Sequence, residues 1–198
     1  MKGIVKMYSN THKFIFLHFG KCAGSSIKKS LSLVDGLEVK LERGHTDLGT
    51  MIKLIKEDGF APEQYFKFTC ARNPWDRMVS LYHHMSTESE RHPNNPEKQK
   101  INFEGTFEEF LCHQESYPSI CPNFEDFDYV VRYEFLKDDF NILCEKLDIS
   151  NKVELPHIDY NTGRPKINYQ SYYNIKTKEM VAKQNLKIIE FFGYKFEA

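Results

Sequence analysis

Short apolar runs alternate with segments of helical spacing along this chain, and that alternation limits the possible folds more than any other feature. Residues 13–18 form an aromatic and β-branched run that is typical of a strand. A Gly/Ser-rich turn over residues 20–26 leads from this run to Ile27, Leu31 and Val34, which have helical spacing. The pattern predicts a strand, a small-residue loop and a helix in succession.

The same order of elements recurs further along the chain. Further strands are predicted at residues 37–41, 65–71 and 129–133. Helical spacing covers residues 48–55, 78–85, 106–113, 135–147 and 177–192. Thr46-Asp47 and Asn73 are predicted helix caps, and Pro74 is suited to a first helical position because its missing amide costs nothing there. Gly193 is expected to close the last helix.

Strands that alternate with helices are joined by right-handed crossovers, which produce a mostly parallel sheet. We therefore expect an α/β fold with a central mostly parallel sheet flanked by helices, and ligands at the carboxyl ends of its strands. A length of 198 residues suits a single domain over residues 1–198. Within that domain, the polar stretch of residues 86–105 predicts a long loop, and we expect it to be a lid or substrate loop.

Charge and cysteine content exclude several classes of protein. The 27 Lys and Arg residues nearly balance the 28 Asp and Glu residues, so no bulk field attracts nucleic acid or an anionic membrane. The 5 Cys are odd in number and show no C-x-x-C spacing, which predicts reduced thiols. The apolar run at residues 14–17 is far too short for a membrane span or a signal-peptide core. We expect a cytoplasmic protein with no nucleic-acid partner, and the sequence makes no prediction of oligomeric state.

The loop after the first predicted strand has the composition of an anion site. Small residues from Gly20 to Ser26 allow backbone amides to point at an anion, with a helix N-terminus behind them. Lys21 adds a full positive charge. Because Lys21 precedes the second glycine and no Gly-Lys-Ser/Thr run occurs, this is not the Walker A loop of ordinary ATP or GTP hydrolases. A glycine-rich turn with a solvated lysine would have the same composition, and that alternative stays open.

A second segment, residues 70–82, places Arg72 at a strand end and Ser80 two turns into the following helix, where both can reach one anion. Together with the loop, this segment resembles the phosphate-binding motifs of the sulfotransferase superfamily, nearest to its carbohydrate sulfotransferase branch. The loop resembles the family's 5'-phosphosulfate loop, and residues 70–82 resemble its 3'-phosphate motif.

The resemblance extends over most of the chain. Residues 128–136 resemble a third landmark of the family, and residues 155–194 resemble its C-terminal segment. The chain departs from the usual pattern at Gly20 and Cys22, where most members have Pro and Thr.

This resemblance implies a P-loop-like three-layer fold. It also implies that a sulfuryl group is transferred from 3'-phosphoadenosine 5'-phosphosulfate (PAPS) to an acceptor hydroxyl, and that no metal is required. The resemblance to the carbohydrate branch implies a carbohydrate acceptor. Lys21 would stabilise the leaving phosphate, while Arg72 and Ser80 would hold the 3'-phosphate. The residues expected at the 5'-phosphate are Gly20, Lys21, Cys22, Ala23, Gly24, Ser25 and Ser26.

An attacking hydroxyl must lose a proton, so the site also needs a general base. His45, in an Arg-Gly-His-Thr segment, resembles the base of the family's carbohydrate enzymes, although a histidine here could instead cap or pack a helix. Glu134 is the second candidate, with a structural pairing to Arg132 as its alternative. Arg164 is expected to contact a donor phosphate or an anionic acceptor, or to be a solvated loop residue.

Two other classes of protein would also place a loop between a strand and a helix. A P-loop nucleotide kinase is disfavoured by the missing Gly-Lys-Ser/Thr run. A binding module that holds PAPS or its desulfated product, 3'-phosphoadenosine 5'-phosphate (PAP), without catalysis stays open, and measurable turnover would separate it from an enzyme.

Overall fold

The structure is a computed structural model that describes residues 6–34, 40–42, 48–87, 94, 103–115, 123–149, 155 and 164–196. The chain divides into two compact units. Unit 1 comprises residues 1–72 and 123–158, and unit 2 comprises residues 73–122 and 159–198. Each unit has its own cluster of buried apolar side chains. The expectation of one domain over the whole chain stays a prediction.

Unit 1 is built on a five-stranded sheet with the order β3-β1-β2-β4-β5. The strands are β1 (Lys6–Ser9), β2 (Phe14–Leu17), β3 (Lys40–Glu42), β4 (Phe66–Ala71) and β5 (Tyr129–Arg132). Strands β2, β4 and β5 are parallel, whereas β1 is antiparallel to both of its neighbours. The expected α/β fold with a mostly parallel sheet is confirmed. Strand β1 was not expected, because its four residues carry no apolar alternation of useful length.

The helices follow the expected alternation with the strands. They are α1 (Gly24–Leu31), α2 (Leu48–Glu57), α3 (Pro74–Ser86), α4 (Phe107–Glu115), α5 (Leu136–Lys146), α6 (Ile175–Gln184) and α7 (Leu186–Phe192). Helix α1 ends earlier than its apolar spacing suggests, so Val34 lies beyond it. The Ser32 hydroxyl, at the C-terminal cap, donates to the carbonyl oxygen of Lys28 at 2.8 Å. Such side-chain bonds to a nearby carbonyl compete with continuation of a helix.

The core of unit 1 joins the middle strands to helix α1. The Phe16 and Phe68 rings stack across β2 and β4 with centroids 4.7 Å apart, and Phe14 lies beside Phe68. Ile27 and Leu31, one turn apart on α1, are fully buried in the same cluster. Burial of these side chains fixes α1 against the sheet and therefore fixes the loop that precedes α1.

Unit 2 contains helices α3, α4, α6 and α7. Its core includes Trp75, Val79, Phe110 and Val181, all buried. The Trp75 indole N–H donates to the carbonyl oxygen of Lys178 at 3.0 Å, which satisfies the polar atom of a buried ring. Apolar packing and this hydrogen bond together tie α3 to α6.

The start of α3 agrees with the sequence. The Asn73 side-chain oxygen accepts hydrogen bonds from the backbone N–H groups of Trp75 and Asp76, at 3.1 and 3.4 Å. Pro74 is the first helical residue. The predicted cap and the predicted proline position are both confirmed.

The expectation of one helix over residues 177–192 is wrong, because Asn185 separates α6 from α7. The Asn185 side-chain amide and backbone N–H both donate to the carbonyl oxygen of Val181, at 2.8 and 3.1 Å, and Asn185 itself has φ of −120°, outside the helical region. The predicted end at Gly193 is confirmed, since Gly193 caps α7 with φ of 65°.

Several expectations concern residues outside the described part of the chain. These are the cap at Thr46-Asp47, most of the predicted strand at 37–41 and most of the loop at 86–105. Among the described residues, Cys22, Cys70, Cys112 and Cys144 are free thiols. No helix in the described ranges is long and apolar enough to cross a membrane.

Candidate functional site

Three chain segments leave the same edge of the sheet in unit 1. Parallel strands end at a common edge, and here Leu17 of β2 lies opposite Thr69 of β4, while Ala71 lies opposite Arg132 of β5. The Thr69 hydroxyl donates to the carbonyl oxygen of Leu17 at 2.7 Å, which pins the end of β2 to β4. Residues 18–23, Arg72 and the turn after β5 therefore emerge side by side.

The loop between β2 and α1 has an unusual backbone. Lys21 and Ala23 have φ of 69° and 61°, in the left-handed region that residues with side chains rarely adopt. Each such residue costs on the order of 1 kcal/mol, so packing or a ligand must favour this conformation. When left-handed residues precede a helix, their successive amide groups point toward a common centre, which is the geometry of an anion nest.

The first turn of α1 is open at its N-terminal end. The backbone N–H groups of Ser26 and Ile27 donate to the carbonyl oxygen of Ala23, at 2.9 and 3.2 Å. Ala23 is the N-cap residue and makes no side-chain cap hydrogen bond. The first amides of an α-helix have no intrahelical acceptor, so the amides of Gly24 and Ser25 can donate to an anion. The helix dipole also favours a negative charge there.

Arg72 links the end of β4 to the loop. Its side chain is 5% exposed, and Nη1 donates to the carbonyl oxygen of Lys21 at 3.0 Å. Its guanidinium carbon lies 3.7 Å from the centre of the Tyr133 ring. A guanidinium is planar, so the bond to Lys21 fixes the plane of the Arg72 side chain beside the loop.

The other face of the loop is filled by His18. A Cβ on Gly24 would collide with the His18 ring, so glycine is required there by a close approach. Burial, with additional repulsion from Lys28 and Lys21, lowers the pKa of His18 from 6.5 to about 4. His18 is therefore neutral near pH 7, and the positive charge of the loop comes from Lys21.

The remaining loop residues differ in exposure. Ser26 and Cys22 are buried, Ser25 is half-buried and Gly20 is exposed. The Cys22 thiol lies 3.7 Å from the carbonyl oxygen of Gly20. Gly20 has open space where a Cβ would be and no positive φ, so the conformation requires glycine at residue 24 but not at residue 20.

Two predicted site residues belong to unit 2. Ser80 is buried on α3, 3% exposed. Arg164 forms an ion pair with Asp76, Nη2 to Oδ1, at 2.7 Å, so it is not the solvated loop arginine of the alternative interpretation. His83 Nε2 lies 2.7 Å from the Tyr172 hydroxyl. The pKa of His83 is lowered, mainly by burial and in addition by the positive charge of Arg164.

Of the two candidate bases, the structure describes only Glu134. His45 lies outside the described residues, and its role stays a prediction. Glu134 is exposed in the turn Tyr133–Phe135. Arg132 makes a bidentate pair with Asp139, Nε to Oδ2 at 2.9 Å and Nη2 to Oδ1 at 2.8 Å. Asp139 is thus a structural carboxylate partner of Arg132.

The sequence placed Tyr133 in a predicted strand and in the third family landmark, but gave it no role in the site. The signal that could have identified it is its position: in a parallel pair, the residue after Arg132 emerges next to the residue after Ala71, which is Arg72. No group of three or more His, Cys, Asp or Glu in the described ranges has the arrangement of a metal site, and independence from metal stays a prediction.

A model of the sulfotransferase family matches residues 6–195 of the chain. No curated protein and no solved structure gave a match.

Proposed function

The chain belongs to the sulfotransferase family and is a sulfotransferase enzyme, and from this premise we propose that PAPS is its donor and a carbohydrate hydroxyl its acceptor. The observation that carries the proposal is the loop of residues 18–23, with left-handed Lys21 and Ala23 in front of the open N-terminus of α1. This loop is suited to a phosphate-sized anion.

The donor, when bound, supplies the sulfuryl group and a phosphate as its leaving group. Sulfuryl transfer resembles phosphoryl transfer in that positioning and charge neutralisation supply most of the catalysis. In the proposal, the amides of Ala23, Gly24 and Ser25 and the hydroxyls of Ser25 and Ser26 hold the 5'-phosphate, while the Ser26 amide donates to the carbonyl oxygen of Ala23. Lys21 places a positive charge where the leaving phosphate gains negative charge.

The 3'-phosphate distinguishes PAPS from ATP, and we assign it to Arg72 and Ser80. Arg72 supports this role because its guanidinium is buried, always charged and fixed beside the loop. Ser80 is assigned from its position in the family motif. A donor or acceptor role for Arg164 would compete with its ion pair to Asp76.

The acceptor hydroxyl needs a base, and His45 is proposed for this step, with Glu134 as the second candidate. Histidine is the commonest general base in enzymes that work near neutral pH. A cytoplasmic location stays a prediction from the sequence.

Calorimetric titration with PAP, set beside adenosine 5'-phosphate and ATP at one salt concentration, tests the donor. We expect selective binding of PAP that is lost in Arg72→Ala and kept in Lys29→Ala, a control at an exposed lysine of α1. Equal affinity for all three nucleotides would overturn the assignment of PAPS.

Transfer of radiolabelled sulfate from PAPS to a panel of saccharides tests catalysis. Lys21→Ala, Arg72→Ala and His45→Ala should each abolish transfer while the circular dichroism spectrum stays unchanged. Full activity in all three variants would refute the mechanism. Selective PAP binding without turnover on any acceptor would indicate a binding module, and strong Mg-dependent ATP turnover would indicate a kinase.

A further inference from the structure

Tyr133 is the first residue after β5, and the sheet register places it beside Arg72. Ala71 pairs with Arg132 in the parallel ladder between β4 and β5, so the next residue on each strand leaves the sheet at the same level. The Arg72 guanidinium lies over the Tyr133 ring at 3.7 Å from its centre. This is close contact for a cation on an aromatic face.

The same guanidinium also contacts the loop between β2 and α1. Arg72 Nη1 donates to the carbonyl oxygen of Lys21, a residue held in the unfavourable left-handed region. A hydrogen bond to that carbonyl favours the conformation in which it is made. Tyr133, Arg72 and Lys21 thus form a continuous chain of contacts from the end of β5 to the loop.

We infer that Tyr133 is a positioning residue for nucleotide binding. Its ring holds Arg72 in the orientation in which Arg72 bonds to the Lys21 carbonyl, so the loop already has this conformation before the donor binds. This inference rests on the proposed function, because it assumes that the loop and Arg72 bind PAPS. Tyr133 acts through Arg72 and needs no contact with the nucleotide. The attraction comes from the ring face, so the phenolic hydroxyl is not required.

The test is calorimetric titration of the full chain with PAP. Tyr133→Leu should weaken PAP binding about tenfold, which corresponds to about 1.4 kcal/mol, whereas Tyr133→Phe should bind within about twofold of wild type. In PAPS turnover, the KM for PAPS should rise by the same factor while kcat at saturating donor is kept. If Tyr133→Leu does not fold, Tyr133→Gln, which also lacks the ring, should show the same loss.

Tyr129→Leu is a matched control on the same strand. The Tyr129 ring lies 5.6 Å from the Lys146 ammonium and belongs to the partly buried side chains around the core of unit 1. Its loss removes an equally large ring at the other end of β5, and PAP affinity should stay at the wild-type value. An equal loss in both leucine variants would overturn the inference, because it would indicate general destabilisation of unit 1.

A double-mutant cycle separates the role of the ring from other effects. Arg72→Lys keeps the charge but removes the planar group that stacks on the ring. In that background, Tyr133→Leu should change PAP affinity less than twofold, and a full tenfold loss would overturn the inference. Failure of wild type to prefer PAP would refute the proposed function, whereas selective wild-type binding with an unaffected Tyr133→Leu would refute this inference alone.

Discussion

The His18 ring packs against Gly24 and occupies the space that a side chain at residue 24 would need. His18 is the first residue after β2, and Gly24 is the first residue of α1. This contact therefore fixes how closely the start of α1 approaches the end of β2. Gly24→Ala should destabilise the protein by about 1–3 kcal/mol, because either the His18 ring or the loop must move. Urea unfolding followed by circular dichroism measures this change.

The control for this prediction is the double variant His18→Ala/Gly24→Ala. Removal of the ring opens the space, so the alanine at residue 24 should cost less in this background than in wild type. Equal costs in the two backgrounds would show that the ring does not cause the effect.

Gly20→Ala should have the opposite effect from Gly24→Ala. Gly20 has no positive φ and no atom within 4 Å of a Cβ position. An alanine there should stabilise the protein by about 0.4–1 kcal/mol, because it reduces the freedom of the unfolded chain at no steric cost. A lower midpoint in urea would contradict this account of the loop entry.

Acid should destabilise the protein through His18. The unfolded chain takes up a proton at His18 near pH 6.5, whereas burial lowers the pKa of the folded state to about 4. Between these values the unfolded state binds more protons, so stability falls as pH falls from 6.5 toward 4. His18 alone should make the protein about 2 kcal/mol less stable at pH 5 than at pH 7.

The comparison that isolates this effect is His18→Gln, which cannot titrate. Its loss of stability between pH 7 and pH 5, from urea unfolding at each pH, should be smaller than that of wild type by about the same 2 kcal/mol. Parallel pH profiles for the two proteins would show that His18 is not the titrating group.

Asn73 should contribute to stability as the cap of α3. Asn73→Ala removes the acceptor of the Trp75 and Asp76 amides and should cost about 1 kcal/mol. Asn73→Asp keeps that acceptor but loses the Nδ2 donor to the carbonyl oxygen of Lys195, 3.0 Å away. Thermal unfolding should therefore place the Asp variant between wild type and Ala, and an Asp variant as unstable as Ala would contradict the capping role.

Local signals in the sequence were sufficient for the elements next to the site. The start of α3 depends on Asn73 and Pro74, whose cap and N1 preferences are local backbone properties. The loop between β2 and α1 was recognisable because small residues follow an apolar run and precede helical spacing. The parallel order of β2, β4 and β5 then followed from the alternation of strands and helices.

The features that the sequence did not predict depend on contacts between distant residues or on competing side-chain bonds. Strand β1 exists because it pairs with β2 and β3, and its four residues carry little propensity of their own. The break at Asn185 combines a side-chain amide that bonds back to Val181 with a φ of −120° at Asn185 itself. The contact of Arg72 with Tyr133 joins residues on different strands, so only the register could have indicated it.

The order of the chain has a consequence for synthesis on the ribosome. Strand β5 pairs with β4, with Tyr129 opposite Phe68, yet residues 73–122, which belong to the other unit, are translated between them. Until β5 emerges, the β4 edge that carries Phe68 and Cys70 has no partner strand on that side. An unpaired apolar edge is a site where nascent chains associate, so chaperone capture should be strongest on chains stalled before residue 129.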